Sequence, residues 1–286
     1  MGSDNDLLKG LEHLNESEFP TYYSPEAKER ATELAENASN CVHYLDEFYQ
    51  NKVQNRLLVL NEEDWTKRIE YPYGLIAGRK NYLWYPTART DNPIFQKMEP
   101  FYDNSPDHLQ QELNKLLNSQ SSPYQYALQR QQEILMVHEY THNYNRENGV
   151  DIKVNWFNEL FCDYFTYAYL KRYEKTNPVD LGLFELVKKI MYVGGYDVVK
   201  HRSIEDFERL YARVGAVNYV WYHGWFIVGV MSLFEMYGEG FIEMVIGLYQ
   251  SENGFDSSSE ELVARLEKEL DGFQTWFDDW MKQEAQ

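Results

Sequence analysis

The first third of the chain mixes a helical pattern of apolar residues with strand-like runs. Ser24 and Pro25 are typical of a helix start. Apolar residues then recur at helical spacing and predict one buried face: Ala27, Ala31, Leu34, Ala38, Cys41, Leu45 and Phe48. Short apolar runs predict strands at 56–60, 73–76 and 81–85, with 77–80 as the turn between the last two.

The rest of the chain follows the helical period almost throughout. Ser122 and Pro123 predict the start of a long helix that ends near Gly149. Later helices are predicted at 153–175, at 181–192, after Ser203, and at 217–237, 239–250, 259–270 and 273–284. We therefore predict an α+β protein with an N-terminal tail at 1–21, an α/β lobe at 22–149 and an all-helical lobe at 150–286.

Residues 138–142 read His-Glu-Tyr-Thr-His and lie inside the long predicted helix. Residues four apart share one face of a helix, so the rings of His138 and His142 can reach one ion. Glu139 stands next to the first histidine and can reach a water beside the metal. Four apolar residues precede the motif, which favours a buried helix with its polar side in a cleft. The alternative is two histidines that are four apart by chance.

A catalytic zinc site needs a third protein ligand. Sixteen residues separate His142 from Glu159, which is followed by Asp163 on the same face of the next predicted helix. Aromatic and aliphatic residues surround both carboxylates, and such groups are costly to bury unless they meet a cation. Glu159 on zinc, with Asp163 accepting the free ring N–H of a ligand histidine, would provide those partners. A solvated acidic edge of an amphipathic helix is the alternative.

The motifs His-Glu-x-x-His and Asn-Glu-x-x-x-Asp resemble those of the gluzincin clan of zinc metallopeptidases, which includes thermolysin and the zinc aminopeptidases. The resemblance implies a zincin-like fold, in which a small mixed sheet packs on the helix of the two histidines and a helical lobe follows. It also implies one zinc ion per chain on His138, His142 and Glu159, with Glu139 as the general base and Asp163 as the residue that orients a ligand. The gap before Glu159 is slightly shorter than in those two branches, which indicates a smaller relative within the clan.

Residues 218–224 resemble the start of a helix that, in this clan, provides a tyrosine or a histidine to the developing oxyanion. Tyr219, Tyr222 and His223 are the candidates, and the two tyrosines rank equally. The place that holds the tyrosine in the family is Trp221 here. Packing in the core is the alternative for each of the three.

Residues 73–78 resemble the edge strand that pairs with an extended substrate in this clan. The aminopeptidases carry a glutamate there to hold the N-terminal amine of the substrate. This segment has none, which disfavours that type of activity. An ordinary hairpin is the alternative.

The composition excludes several classes of function. The chain has 46 acidic and 27 basic residues and a net charge of −19, which disfavours nucleic acid and anionic membrane surfaces as partners. The longest apolar run, 225–234, is about half as long as a membrane span. The N-terminus lacks the pattern of a signal peptide, and two cysteines, Cys41 and Cys162, cannot form a disulfide framework. These features favour the cytoplasm, and a secreted protein whose leader was removed is the alternative.

The sequence thus predicts a zinc metallopeptidase that hydrolyses peptide bonds with a zinc-activated water and Glu139 as general base. Its partner would be a peptide or protein substrate. The main alternative is a catalytically inactive zincin-fold protein that binds a peptide or protein in its cleft, although the presence of Glu139 argues against it. A helical scaffold with a chance motif is a third interpretation.

Overall fold

The computed structural model describes residues 7–89, 91, 105–117, 123–193, 199–252 and 256–284. These residues form an α+β fold that divides into two compact units, Met1–Tyr144 and Asn145–Gln286. The boundary falls near the end of the long helix Pro123–Glu147. The predicted α+β class is confirmed, and the described strands all lie in the first unit.

The first unit is built around one five-stranded sheet with the order β1-β2-β3-β5-β4. Its strands are β1 Glu12–His13, β2 Thr21–Tyr23, β3 Arg56–Leu60, β4 Ala77–Arg79 and β5 Tyr82–Pro86. The three central strands are parallel, and the two edge strands run antiparallel to their neighbours. The helices of this unit are α1 Lys28–Leu45, α2 Glu62–Arg68, α3 Asp107–Leu116 and α4 Pro123–Glu147.

Both faces of the central strands are buried, which is typical of parallel strands. On one face, Leu58 and Leu60 of β3 pack with Trp84 of β5 and with Trp65 of α2. Successive side chains alternate between the faces. On the other face, the hydroxyl of Tyr85 donates to a main-chain carbonyl of α4 at 2.8 Å. The sheet therefore packs directly against the helix that carries the two histidines.

One local prediction in this unit is wrong. The predicted strand at 73–76 is absent, because the strand starts at Ala77, inside the stretch that the sequence suggested as a turn. The actual turn is the two-residue loop at Lys80 and the next residue, where Lys80 has φ +55°. The predicted tail also contains β1, which pairs with β2 at the sheet edge. Three prolines predict irregular structure over 88–107, and residues 90 and 92–104 of that segment lie outside the described residues.

The regular secondary structure among the described residues of the second unit is all helical. Its α-helices are α5 Asn155–Arg172, α6 Pro178–Val193, α7 Ile204–Leu210, α8 Ala216–Tyr237, α9 Gly240–Ser251, α10 Ser259–Glu269 and α11 Phe273–Glu284. Helix α8 packs against α5 and α6. As predicted, the Ser203 hydroxyl caps α7 by accepting from the Asp206 N–H at 3.1 Å.

None of the described helices is by itself both long and apolar enough to cross a membrane. Helices α8 and α9 meet the criteria of length and composition only when they are taken together, and a bend of 98° separates them.

Candidate functional site

The two histidines of the His-Glu-x-x-His motif lie together on α4. The Nε2 atoms of His138 and His142 are 3.1 Å apart. Two ring nitrogens on one tetrahedral zinc, each about 2.05 Å from the ion, would be about 3.3 Å apart. His138 is buried, and His142 is partly exposed. The spacing of the two donors therefore suits a single ion that can be reached from outside.

Helix α4 is held in place by polar contacts on its buried side. The Asn143 amide donates to the side-chain oxygen of Asn55 at 3.0 Å, just before β3 begins. A buried ion pair joins α4 to α1, with Arg30 Nη1 2.6 Å from a Glu133 oxygen. Hydrogen bonds and ion pairs are strong when they are removed from water and have good geometry. They fix the rotation of α4 and hence the direction of its two histidines.

The general-base candidate Glu139 lies beside the edge strand β4. A methyl group placed on the α-carbon of Gly78 would be 3.4 Å from Glu139 Oε2 and 3.4 Å from the Tyr82 carbonyl. Only a residue without a side chain leaves this space open. Among the described strands, β4 pairs with β5 alone, at the end of the sheet. The edge strand β4 and the predicted base are thus neighbours within the first unit.

In the second unit, two tyrosines contact the predicted third ligand. Glu159 is 1% exposed on α5. Its Oε1 atom accepts a hydrogen bond of 2.5 Å from the Tyr211 hydroxyl, and its Oε2 atom accepts one of 3.3 Å from Tyr219. The first distance is typical of a hydroxyl bound to a carboxylate, and the second is long. Tyr211 therefore holds the carboxylate firmly, whereas Tyr219 holds it loosely.

His223 lies between the two predicted carboxylates of α5. Its Nδ1 atom is 3.3 Å from Asp163 Oδ2, and its Nε2 atom is 3.6 Å from Glu159 Oε2. Asp163 is completely buried. The structure thus gives Asp163 a partner on α8 that the sequence did not suggest. Its proposed contact with a ligand histidine stays a prediction.

The hydroxyl of Tyr222 is directed elsewhere. It donates to the Ser203 carbonyl at 2.8 Å, and its ring packs on Phe207 at 4.8 Å between centroids. Residues 219 and 223 lie about one turn apart on a helix, whereas 222 and 223 are rotated by about 100°. These contacts favour Tyr219 over Tyr222 as the candidate donor, and Tyr222 holds α7 on α8.

Tyr211 is the residue at this site that the sequence analysis missed. It follows α7 directly, with a backbone φ of +42° and ψ of −122°. No pattern of period or spacing marks it, because its partner Glu159 lies 52 residues earlier in the chain. Only the packing of α7 on α5 brings the two together.

Side chains that could hold a metal ion are present in both units. They are His138 and His142 in the first unit and Cys162, Asp163 and His223 in the second. No family model matches the chain, and no curated protein or solved structure shows significant similarity to it. The function must therefore be inferred from the chemistry of these residues.

Proposed function

We propose that the protein is a zinc-dependent metallopeptidase with a zincin-like fold that cleaves a peptide or protein substrate. The observation that carries the proposal is the arrangement on α4. Two imidazole nitrogens lie 3.1 Å apart. Glu139, the residue after the first histidine, lies beside the edge strand β4 at Gly78.

The donor set suits zinc in its chemistry. His138 and His142 would supply two neutral nitrogen ligands, and Glu159 would supply a carboxylate oxygen. Three protein ligands of these types are typical of catalytic zinc sites. A carboxylate as deeply buried as Glu159 also favours a nearby cation. When bound, zinc would polarise the scissile carbonyl and lower the pKa of water to about 7.

The other residues of the proposed site would have separate roles in hydrolysis. Glu139 would accept the proton of the attacking water and deliver it to the leaving amine. The substrate would extend along β4 by strand addition, since this strand lies at the end of the sheet. Tyr219 would donate its hydroxyl to the oxyanion, because its 3.3 Å hydrogen bond to Glu159 is weak enough to be exchanged. His223, held by Asp163, is the other candidate donor.

Cleavage of a diverse peptide pool, read by mass spectrometry, tests this proposal. We expect the wild-type protein to cut peptides, to stop when a chelator is added, and to resume with zinc. Glu139→Gln keeps the shape of the side chain but cannot accept a proton, so turnover should fall by about 10²–10⁴.

Equal cleavage by wild type and Glu139→Gln would contradict the role of Glu139. A wild-type protein that holds zinc and binds peptides without cutting them would instead support the inactive, peptide-binding alternative.

A further inference from the structure

Tyr211 has an unfavourable backbone conformation for a bulky residue. Among the described residues other than glycine, only Lys80 and Tyr211 have a positive φ. Lys80 lies in a two-residue hairpin loop, where a positive φ is common. Tyr211 follows a helix, and an aromatic residue in this region of backbone space is strained. Strain of this kind persists only where the surrounding contacts enforce it.

The strained conformation directs the Tyr211 hydroxyl to Glu159. The hydrogen bond to Oε1 measures 2.5 Å, the shorter of the two phenol contacts to this carboxylate. The Tyr211 ring also meets Phe207 edge to face at 5.7 Å. Packing therefore fixes the ring, and the ring fixes the hydroxyl.

The segment before Tyr211 is anchored on the same helix as Glu159. Glu208 accepts hydrogen bonds from the main-chain N–H groups of Asn155 and Trp156, at 3.1 and 2.7 Å. Glu208 thus caps the first turn of α5, and Tyr211 contacts the next turn. Residues 208–211 consequently fix both the start of α5 and the side chain of Glu159.

We infer that Tyr211 is a positioning residue for Glu159, and this inference rests on the proposed zinc site. The short hydrogen bond holds Oε1, whereas the hydrogen bond from Tyr219 to Oε2 is longer, at 3.3 Å, so Oε2 is the oxygen that would exchange its partner for the metal. A ligand whose orientation is fixed in advance loses less freedom when it binds. Hydrogen bonds of this kind to metal ligands typically change metal affinity by about 10–100-fold.

Tyr211→Phe tests the inference, because it deletes the hydroxyl and keeps the ring against Phe207. Zinc affinity is measured by competition with a chromophoric chelator at constant pH. We expect Tyr211→Phe to weaken zinc binding by about 10–100-fold. Tyr219→Phe is the matched control, since it removes the longer hydrogen bond to the same carboxylate, and we expect a smaller loss.

A double-mutant comparison separates positioning from a general structural role. We expect Glu159→Gln and the double variant Glu159→Gln/Tyr211→Phe to bind zinc equally weakly, because Tyr211 acts only through Glu159. The melting temperature of metal-free Tyr211→Phe should fall by only a few degrees, because one hydrogen bond to a buried carboxylate is lost, and the variant should remain folded at the assay temperature. Loss of zinc affinity that adds to the loss in Glu159→Gln would overturn the inference.

The outcomes distinguish this inference from the proposed function. If Glu159→Gln weakens zinc binding and Tyr211→Phe does not, only the inference about Tyr211 fails. If the wild type holds no zinc, or if Glu159→Gln binds it as tightly as the wild type, the proposed ligand set fails and the inference fails with it.

Discussion

Tyr222→Phe should lower stability and not turnover, whereas Tyr219→Phe should lower turnover and not stability, although the two tyrosines are close together in the sequence. Tyr222 is completely buried, and its hydroxyl donates to the Ser203 carbonyl at 2.8 Å. Phe at this position keeps the ring packed on Phe207 and removes only that hydrogen bond. Ser203 is partly exposed, so water can replace the lost donor in part.

These contacts set the expected magnitude. A hydrogen bond of this kind contributes about 0.5–1.5 kcal/mol to the free energy of unfolding. For a protein of this size, a loss of about 1 kcal/mol lowers the melting temperature by about 2–4 °C. Turnover of Tyr222→Phe should stay near the wild-type value, because its hydroxyl faces α7 and not the carboxylates of α5.

Tyr219→Phe should lose activity and little stability. Tyr219 is only partly buried, and its hydrogen bond to Glu159 is long, at 3.3 Å. Deleting a donor to an oxyanion typically lowers turnover by about 10²–10³. Thermal unfolding followed by circular dichroism and peptide turnover give both quantities for each variant. A Tyr222→Phe protein with wild-type stability and low turnover would refute the assignment.

Three further substitutions test other parts of the structure. Gly224→Ala would place a methyl group 2.4 Å from the Met191 sulfur. Denaturant unfolding should therefore show a free energy of unfolding that is lower by about 1–3 kcal/mol. Unchanged stability would show that the Met191 side chain moves aside at no cost. Burial raises the pKa of the Glu208 carboxyl above its ordinary value of 4.5, although hydrogen bonds from two main-chain N–H groups partly offset this effect. The stability that Glu208 contributes is therefore fully present below pH 4.5 and is lost as the pH rises through the native pKa. Glu208→Gln does not titrate, so its free energy of unfolding should rise relative to that of the wild type as the pH increases from 4.5 through the native pKa. A pH-independent difference between the two unfolding free energies would contradict this. Gly78→Val should crowd Glu139 and lower turnover while zinc content is unchanged, and normal turnover would show that this space is not used.

Local signals in the sequence predicted those parts of the fold that depend on near neighbours. The apolar run at β3 predicted Arg56–Leu60 with its observed bounds. Gly149 and Gly238, both with positive φ, follow the helices that they were expected to end. The edge of the sheet was misplaced, because pairing with β5 selects Ala77–Arg79 over the more apolar run before it. Strand β1 has only two residues, too few to show any period.

In the candidate site too, contacts within one helix could be predicted from the sequence, and contacts between helices could not. His138 and His142 are four residues apart on one helix, so their proximity follows from the helical repeat. The choice between Tyr219 and Tyr222 depends on which face of α8 meets α5, and the sequence of α8 is apolar on all sides. The contact between Tyr211 and Glu159 depends on a strained junction after α7, which no local pattern indicates.

The zinc content of the wild type and of two variants tests the proposed metal site most directly. Each protein is loaded with zinc, dialysed against metal-free buffer and measured by elemental analysis. We expect one zinc ion per chain in the wild type and in Glu139→Gln, because Glu139 acts on water and is not a ligand. His142→Ala should retain much less, because it loses one of the two nitrogen donors. Equal zinc in His142→Ala and in the wild type would contradict the account.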